Sequence, residues 1–355
     1  MEAIILNTKF ESIAILDTFN SFIWTDRYDK CGDFEVYAHV STNILANLQE
    51  DYYLWMKETN HMMIVEDIVI DTDVDNGSHV KITGRSLESI LDRRIIWDQT
   101  ILTGNLQNAI LTLLNENVIS PSDSKRKISN FIFETSDDEY ITSQNIDAQF
   151  MGENLYDVIT ALCEVYSIGF RITLNDANQF VFKLYNGVDR SYDQLANPYV
   201  VFSPNFENII NSNYIQSKKT LKTVTLILGE GEGASRKTAT AEVEDGAGLE
   251  LNRREMYTDA RDISSDTGDI QLTDSEYISQ LKERGLEDLS YNSYTKSFEG
   301  QVETSKMFVY GKDFFMGDIL QIENEFGMQS KARVIEVVRS QDTGGYSVYP
   351  TFSAI

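Results

Sequence analysis

Met307–Phe352 reads MFVYGKDFFMGDILQIENEFGMQSKARVIEVVRSQDTGGYSVYPTF, and its punctuation decides the fold. Phe314–Ile322 is an apolar run broken by Gly317-Asp318, Ala332–Arg339 is rich in Val and Ile, and Tyr346–Phe352 alternates. β-Branched and aromatic residues suit a pleated, half-buried surface, so each run predicts a strand. The turn-forming clusters Asn324–Gly327 and Asp342–Gly345 separate them.

Working back to the other end, Phe19–Arg27 and Asp33–Val40 flank Tyr28–Gly32, whose Asp-Lys-Cys-Gly suits a hairpin turn. Met62–Val74 and His79–Gly84 flank Asp75-Asn76-Gly77, and Asn-Gly between β runs is the strongest short-range hairpin signal. Ser86 is placed to cap a short helix through Arg93, with Leu87, Ile90 and Leu91 on one face.

Between these ends the period changes. Asn105–Val118 sets Leu106, Ala109, Ile110, Leu113 and Leu114 on one helical face, and Asn154–Ser167 repeats the pattern with Leu155, Val158, Ile159, Leu162 and Tyr166. Each predicted helix feeds β-like sequence: Lys127–Phe133 after the first, and Phe170–Leu174 with Phe180–Tyr185 across Asn175–Asn178 after the second. Tyr199–Phe202 and Leu221–Leu228 read as strands, Gly229–Glu250 as a long loop or extended arm, and Asp259–Asp274 as polar and turn-like. Thr273-Asp-Ser-Glu276 is a capping box opening a helix to about Asp288, weakened by Gly285, and Phe298–Val302 follows as a strand.

The bulk properties set limits. A chain of 355 residues predicts about two to four compact units. An apolar fraction of 42% excludes a disordered chain. A net charge of −26, from 30 basic and 56 acidic residues, argues against affinity gained by releasing counterions from nucleic acid. No run approaches a membrane span, and MEAIILNTKFESIAIL lacks a basic leader, so synthesis and folding in cytoplasm are expected.

Chemistry is sparse. Asp71-Thr-Asp-Val-Asp-Asn-Gly77 imitates the start of a calcium loop, but Asn76 stands where glycine is required and Ile82 where a bidentate Glu is. Gly229-Glu-Gly-Glu-Gly233 imitates a phosphate cradle, yet Glu230 and Glu232 would repel the anion and no Lys follows. His39, His61 and His79 have no zinc spacing, and Cys31 and Cys163 read as reduced, packed thiols. Paired carboxylates are the one catalytic device left open, and 56 acids supply many pairs by chance. The i, i+2 spacing of Phe22 and Trp24, Phe131 and Phe133, and Phe180 and Phe182 points the aromatics into sheet cores, not into a saccharide groove. The reading therefore predicts no catalytic, cofactor-binding or metal-binding residue and no cofactor.

The closing segment, together with Phe22–Tyr37 (FIWTDRYDKCGDFEVY), Ile82–Ile95 (ITGRSLESILDRRI), Gly152–Phe170 (GENLYDVITALCEVYSIGF) and Leu228–Arg236 (LGEGEGASR), resembles the phage tail-tip and baseplate hub proteins in order and spacing. The resemblance implies a mainly β, α+β fold: two small tube-like β-barrels carrying inserted α+β domains. Residues 1–95 form the first barrel and 96–197 an inserted α+β domain; 198–229 with 300–355 form the second barrel, and 230–299 are an inserted loop and helix domain. It also implies a homotrimeric virion protein at the tail tip, adapting a sixfold tube to a threefold tip. Its implied partners are the distal tail or tail tube protein, the tape-measure protein and a tip spike or fibre protein, with DNA only in transit through an acidic bore. Relatives often carry a lysin or adhesin beyond the hub, and ending at Ile355 implies that a separate partner supplies it. The competing readings are a cell-wall glycosidase working through a carboxylate pair and a glycan-binding tail adhesin.

Overall fold

The computed structural model describes all residues except 60, 74–76, 245–247, 267–270, 303–306, 325, 327 and 328. Strand accounts for 41% of the residues and helix for 22%, a mainly β chain with α+β character.

The N-terminal unit contains β1 (Ala3–Leu6), β2 (Ser12–Leu16), β3 (Ser21–Arg27), β4 (Asp33–His39), α1 (Thr42–Asn47), β5 (Tyr53–Trp55), β6 (Met62–Asp73) and β7 (Gly77–Ser86). Both expected hairpins form, with Ser21 opposite Tyr37 and Asp73 opposite Gly77; Asp75 and Asn76 lie outside the described residues. β6 explains how this unit meets the next. Met62, Met63, Ile64 and Val65 are all buried, and because strand side chains alternate, Met63 and Val65 enter the N-terminal core while Met62 and Ile64 enter the core of the inserted unit.

Ser86 does not act as the expected cap. Its hydroxyl accepts from the Gly32 amide at 2.7 Å, and Leu87–Arg93 winds as tight 3₁₀ turns without a side-chain cap. The first insert follows: β8 (Thr100–Asn105), α2 (Leu106–Leu114), β9 (Phe131–Glu134), α3 (Glu139–Ser143), β10 (Asn145–Phe150), α4 (Leu155–Val165), β11 (Gly169–Leu174) and β12 (Phe180–Tyr185). Asn105 and Asn154 cap α2 and α4. β8 pairs with β10, and β12 lies between β11 and β9. The predicted apolar faces of both helices enter one core with Phe170 and Phe182.

β13 (Val201–Phe202) and β14 (Ile209–Ser217) join the C-terminal sheet. β15 (Val224–Leu228) does not, which corrects the assignment of 198–229 to one barrel. It is the centre of a separate three-stranded sheet, antiparallel to β16 (Thr238–Glu242) and parallel to β17 (Glu255–Asp259), with α5 (Asp274–Tyr291) packed on Ile227. The stretch expected as a loop or arm thus supplies a strand. Ala239 and Ala241 face the core between exposed Thr238, Thr240 and Glu242, a period-2 pattern of low hydrophobicity. The capping box at Thr273 and Glu276 is present.

β18 (Thr295–Val302), β19 (Ile319–Glu323), β20 (Gln329–Asp342) and β21 (Gly345–Ala354) complete the chain; the turn at Asn324–Gly327 lies partly outside the described residues. β20 joins the two halves. Along one edge it pairs with β19 up to Arg333 and then with β3 from Glu336 to Gln341, while its other edge pairs with β21. The change of partner coincides with a bulge between Val334 and Glu336, a common device for turning a strand from one sheet to another. The strands expected in two separate barrels are consequently linked in one 13-stranded sheet, whose path runs from β14 to β2 among the described residues.

Candidate functional site

A polar construction fastens the place where three units meet, and it is built around Tyr28 in the β3–β4 turn. Its backbone N–H donates to Ile335 O at 2.9 Å, and its carbonyl accepts from Phe170 N at 3.2 Å. Its buried hydroxyl donates to Ser167 O (3.1 Å) and accepts from Arg333 Nη1 (3.1 Å), which also reaches Asn186 Oδ1 and Gly317 O. The Arg333 guanidinium lies over the Tyr28 ring, 5.1 Å from its centroid. Burial raises the phenol pKa against the opposing charge of Arg333.

Glycine makes room for this ring. A Cβ on Gly169 would lie 2.5 Å from Tyr28 Cε2, and one on Gly317, at φ +88°, would lie 2.4 Å from the same atom. Gly317-Asp318, which interrupts the apolar run in the sequence, is therefore a packing requirement. Buried Asp318 accepts from Val188 N (2.8 Å) and Arg190 Nε (2.7 Å), fastening the chain that leaves the first insert.

Two further latches lie on either side. Buried Arg339 on β20 pairs with buried Asp26 on β3, whose other oxygen accepts from Trp24 Nε1 at 2.9 Å. Removing one member of such a pair leaves an uncompensated buried charge, costing about 3–5 kcal/mol. Arg284 on α5 reaches Asp262 (3.1 Å), Glu153 (3.3 Å) and Glu287 (3.6 Å), and lies over the Phe150 ring, tying the second insert to the first. Burial pushes Glu287 up to about 7 against the attraction of Arg284, with Asp288, Glu153 and Asp262 adding to the rise. Burial likewise pushes Asp29 up to about 6, aided by Glu164.

The motifs weighed in the sequence are dispersed. Asp71 and Asp73 lie on the exposed outer half of the β6–β7 ribbon, and among the described residues no group of three or more His, Cys, Asp or Glu is arranged to hold a metal. In the Gly229–Gly233 loop, Glu230 N donates to Tyr277 Oη (2.8 Å), the Glu230 carboxylate accepts from Ser265, and Arg236 donates to Gly229 O (2.9 Å). Its groups are spent on fastening the loop. His39 and His79 sit opposite each other on β4 and β7, whereas His61 is buried 3.5 Å from Glu88. Cys163 is buried and Cys31 accepts from Tyr156 Oη at 3.3 Å; burial raises both thiols. Tyr28 and Arg284 were not legible as key residues; the break that Gly317-Asp318 makes in an apolar run was the one local signal.

This architecture is that of the phage tail proteins. Prophage tail protein gp18 of Listeria monocytogenes EGD-e shares it at 13% identity and a TM-score of 0.56, over 99% of this chain and 94% of that one. The 43 kDa tail protein of prophage MuSo2 from Shewanella oneidensis does so at 13% and 0.57 (100% and 98%), and the tail protein of Neisseria meningitidis MC58 at 10% and 0.56 (99% and 95%). Residues 2–352 match the family described as Siphovirus ReqiPepy6 Gp37-like protein, and the chain belongs to that family. No curated protein matches it.

Proposed function

We propose that the chain is a structural virion protein, a homotrimeric hub at the distal end of a phage tail or tail-like particle. In this reading it adapts the sixfold tail tube to a threefold tip and forms part of the channel. The observation that carries the reading is the likeness in fold to tail proteins along nearly the whole chain. The continuous sheet across β3 and β20 supports it physically, since a load-bearing ring needs units that do not hinge apart.

The partners of such a hub are two further copies, the distal tail or tail tube protein, the tape-measure protein and a tip spike or fibre protein. DNA passes through an acidic bore without specific binding, in keeping with a net charge of −26. The protein is assembled in the host cytoplasm and resides in the virion. The glycosidase reading gains nothing from Glu287, whose raised pKa belongs to the latch around Arg284. Antibody against the chain is expected to label particles at the tail end away from the head; labelling along the tube or on the head would overturn the reading.

A further inference from the structure

Trp97 is 60% exposed, whereas Trp24 is fully buried in the N-terminal core. It follows the Leu87–Arg93 turns and, with Arg94, Asp98, Asp123, Lys125 and Arg126, lines an open cleft of about 500 Å³. That size falls in the range of sites for small ligands.

The cations here are held in a particular way. Arg126 donates to Ile95 O (2.7 Å) and Asn117 Oδ1 (2.9 Å), and its guanidinium covers one face of the Trp97 ring at 5.2 Å. Arg94 donates to Arg126 O (2.9 Å) and Arg93 O (2.8 Å). These acceptors are neutral, so they fix the guanidinium groups without cancelling their charge. Neighbouring cations do pair: Arg85 with Asp92 at 3.0 Å, and Arg93 with Asp51 at 3.4 Å. Among the described residues, Arg94, Lys125 and Arg126 form no ion pair with a carboxylate. Burial and the nearby charges of Arg126 and Arg93 lower the Arg94 pKa, as a locally positive site requires. Asp92 and Arg93 also line the cleft, so four basic residues face three acidic ones there, a basic excess in a chain with 56 acids and 30 bases.

We propose that this cleft binds a saccharide ring carrying one anionic group, phosphate or carboxylate, with the ring against the open side of Trp97 and the anion on Arg94 and Lys125. Guanidinium groups match phosphate and carboxylate oxygens in geometry, and a fixed indole offers a flat apolar surface at low entropic cost. Asp98 and Asp123 on the rim are acceptors for ring hydroxyls; Asp123 Oδ1 also accepts from Lys125 N at 3.0 Å. A simple anion hole would need no tryptophan, and a neutral sugar site would need no unpaired arginine. The inference stands independently of the hub reading, because the isolated chain carries the whole cleft.

The test is saturation-transfer NMR and calorimetric titration of the full chain with glucose 6-phosphate, glucuronate, glucose, inorganic phosphate and adenosine monophosphate. Saturable binding of either anionic sugar is expected, the two arms showing whether phosphate or carboxylate is preferred. Trp97→Ala should abolish it, and Arg94→Gln should weaken it about tenfold, the loss of one charge-assisted contact. Thermal melting checks that Trp97→Ala, a change at an exposed side chain, leaves the fold intact. The proposal is overturned if glucose or inorganic phosphate binds as well as the anionic sugars, if adenosine monophosphate binds better, if Trp97→Ala binds unchanged, or if neither anionic sugar binds.

Discussion

The two inserted units do the same architectural job with different physics. The first is built on a large core in which Leu, Ile and Phe from α2, α4 and the strands β8–β12 pack together and share Met62 and Ile64 with the N-terminal unit. The second has a small core of Ile227, Ala239, Ala241, Ala260, Ile263, Tyr277 and Leu281. It relies on close backbone approach at Gly285, on the Arg284 latch and on exposed pairs such as Arg261–Asp259. Exposed ion pairs contribute little, typically about 0–1 kcal/mol each. Cohesion in the first insert therefore comes from buried apolar area, and in the second from fit.

The contrast can be attacked at its strongest point first. Phe182 packs between Phe133 (5.5 Å) and Phe170 (5.7 Å), so Phe182→Ala should destabilise the protein by about 3–5 kcal/mol in denaturant unfolding. A loss below about 1 kcal/mol would mean that the first core is looser than described. Gly285→Ala comes next. On an exposed helix it would gain up to about 1 kcal/mol. Here the new Cβ would lie 2.7 Å from Ile227 Cδ1 and Cγ1, so a loss of about 1–3 kcal/mol is expected, and a gain in melting temperature would refute the close fit. Hydrogen exchange should then show the amides of β15–β17 opening before those of β11 and β12; equal protection would erase the distinction.

The smallest effect is on pH. The folded-state pKa of Glu287 is about 7 against an ordinary 4.5, and that of Asp29 is about 6 against 3.8. The folded chain thus binds more protons than the unfolded one between these values, and stability must fall as pH rises through them. Buried His61 acts in the same direction. Burial lowers its pKa, but Asp26 and Glu88 outweigh that and raise it, so its stabilisation is also lost with rising pH. Melting temperature should be higher at about pH 5.5 than at about pH 7.5, and Glu287→Gln should flatten the difference. An unchanged slope in that variant would remove Glu287 from the account.

The same contrast explains what the sequence disclosed. The first insert was legible because its helices carry Leu and Ile at 3.6 spacing and its strands carry paired Phe. In the second, β16 alternates Ala with Thr, a pattern too weakly apolar to stand out from a loop, and β17 offers only Met256 and Tyr257. The membership of β15 depended on those unseen partners, so it was assigned to the wrong sheet. The junction was hidden for another reason. Tyr28, Gly169, Gly317 and Arg333 are far apart in the chain, and nothing local marks them as neighbours. Trp97 was likewise silent, because exposure is a property of the fold and not of the residue.

The central claim, that this is the ring-forming subunit of a tail tip, is tested most directly by the mass of the purified chain in solution. Light scattering across a range of concentrations should give three times 40.4 kDa. A particle that stays at 40.4 kDa at every concentration, or settles at twice that mass, would contradict it.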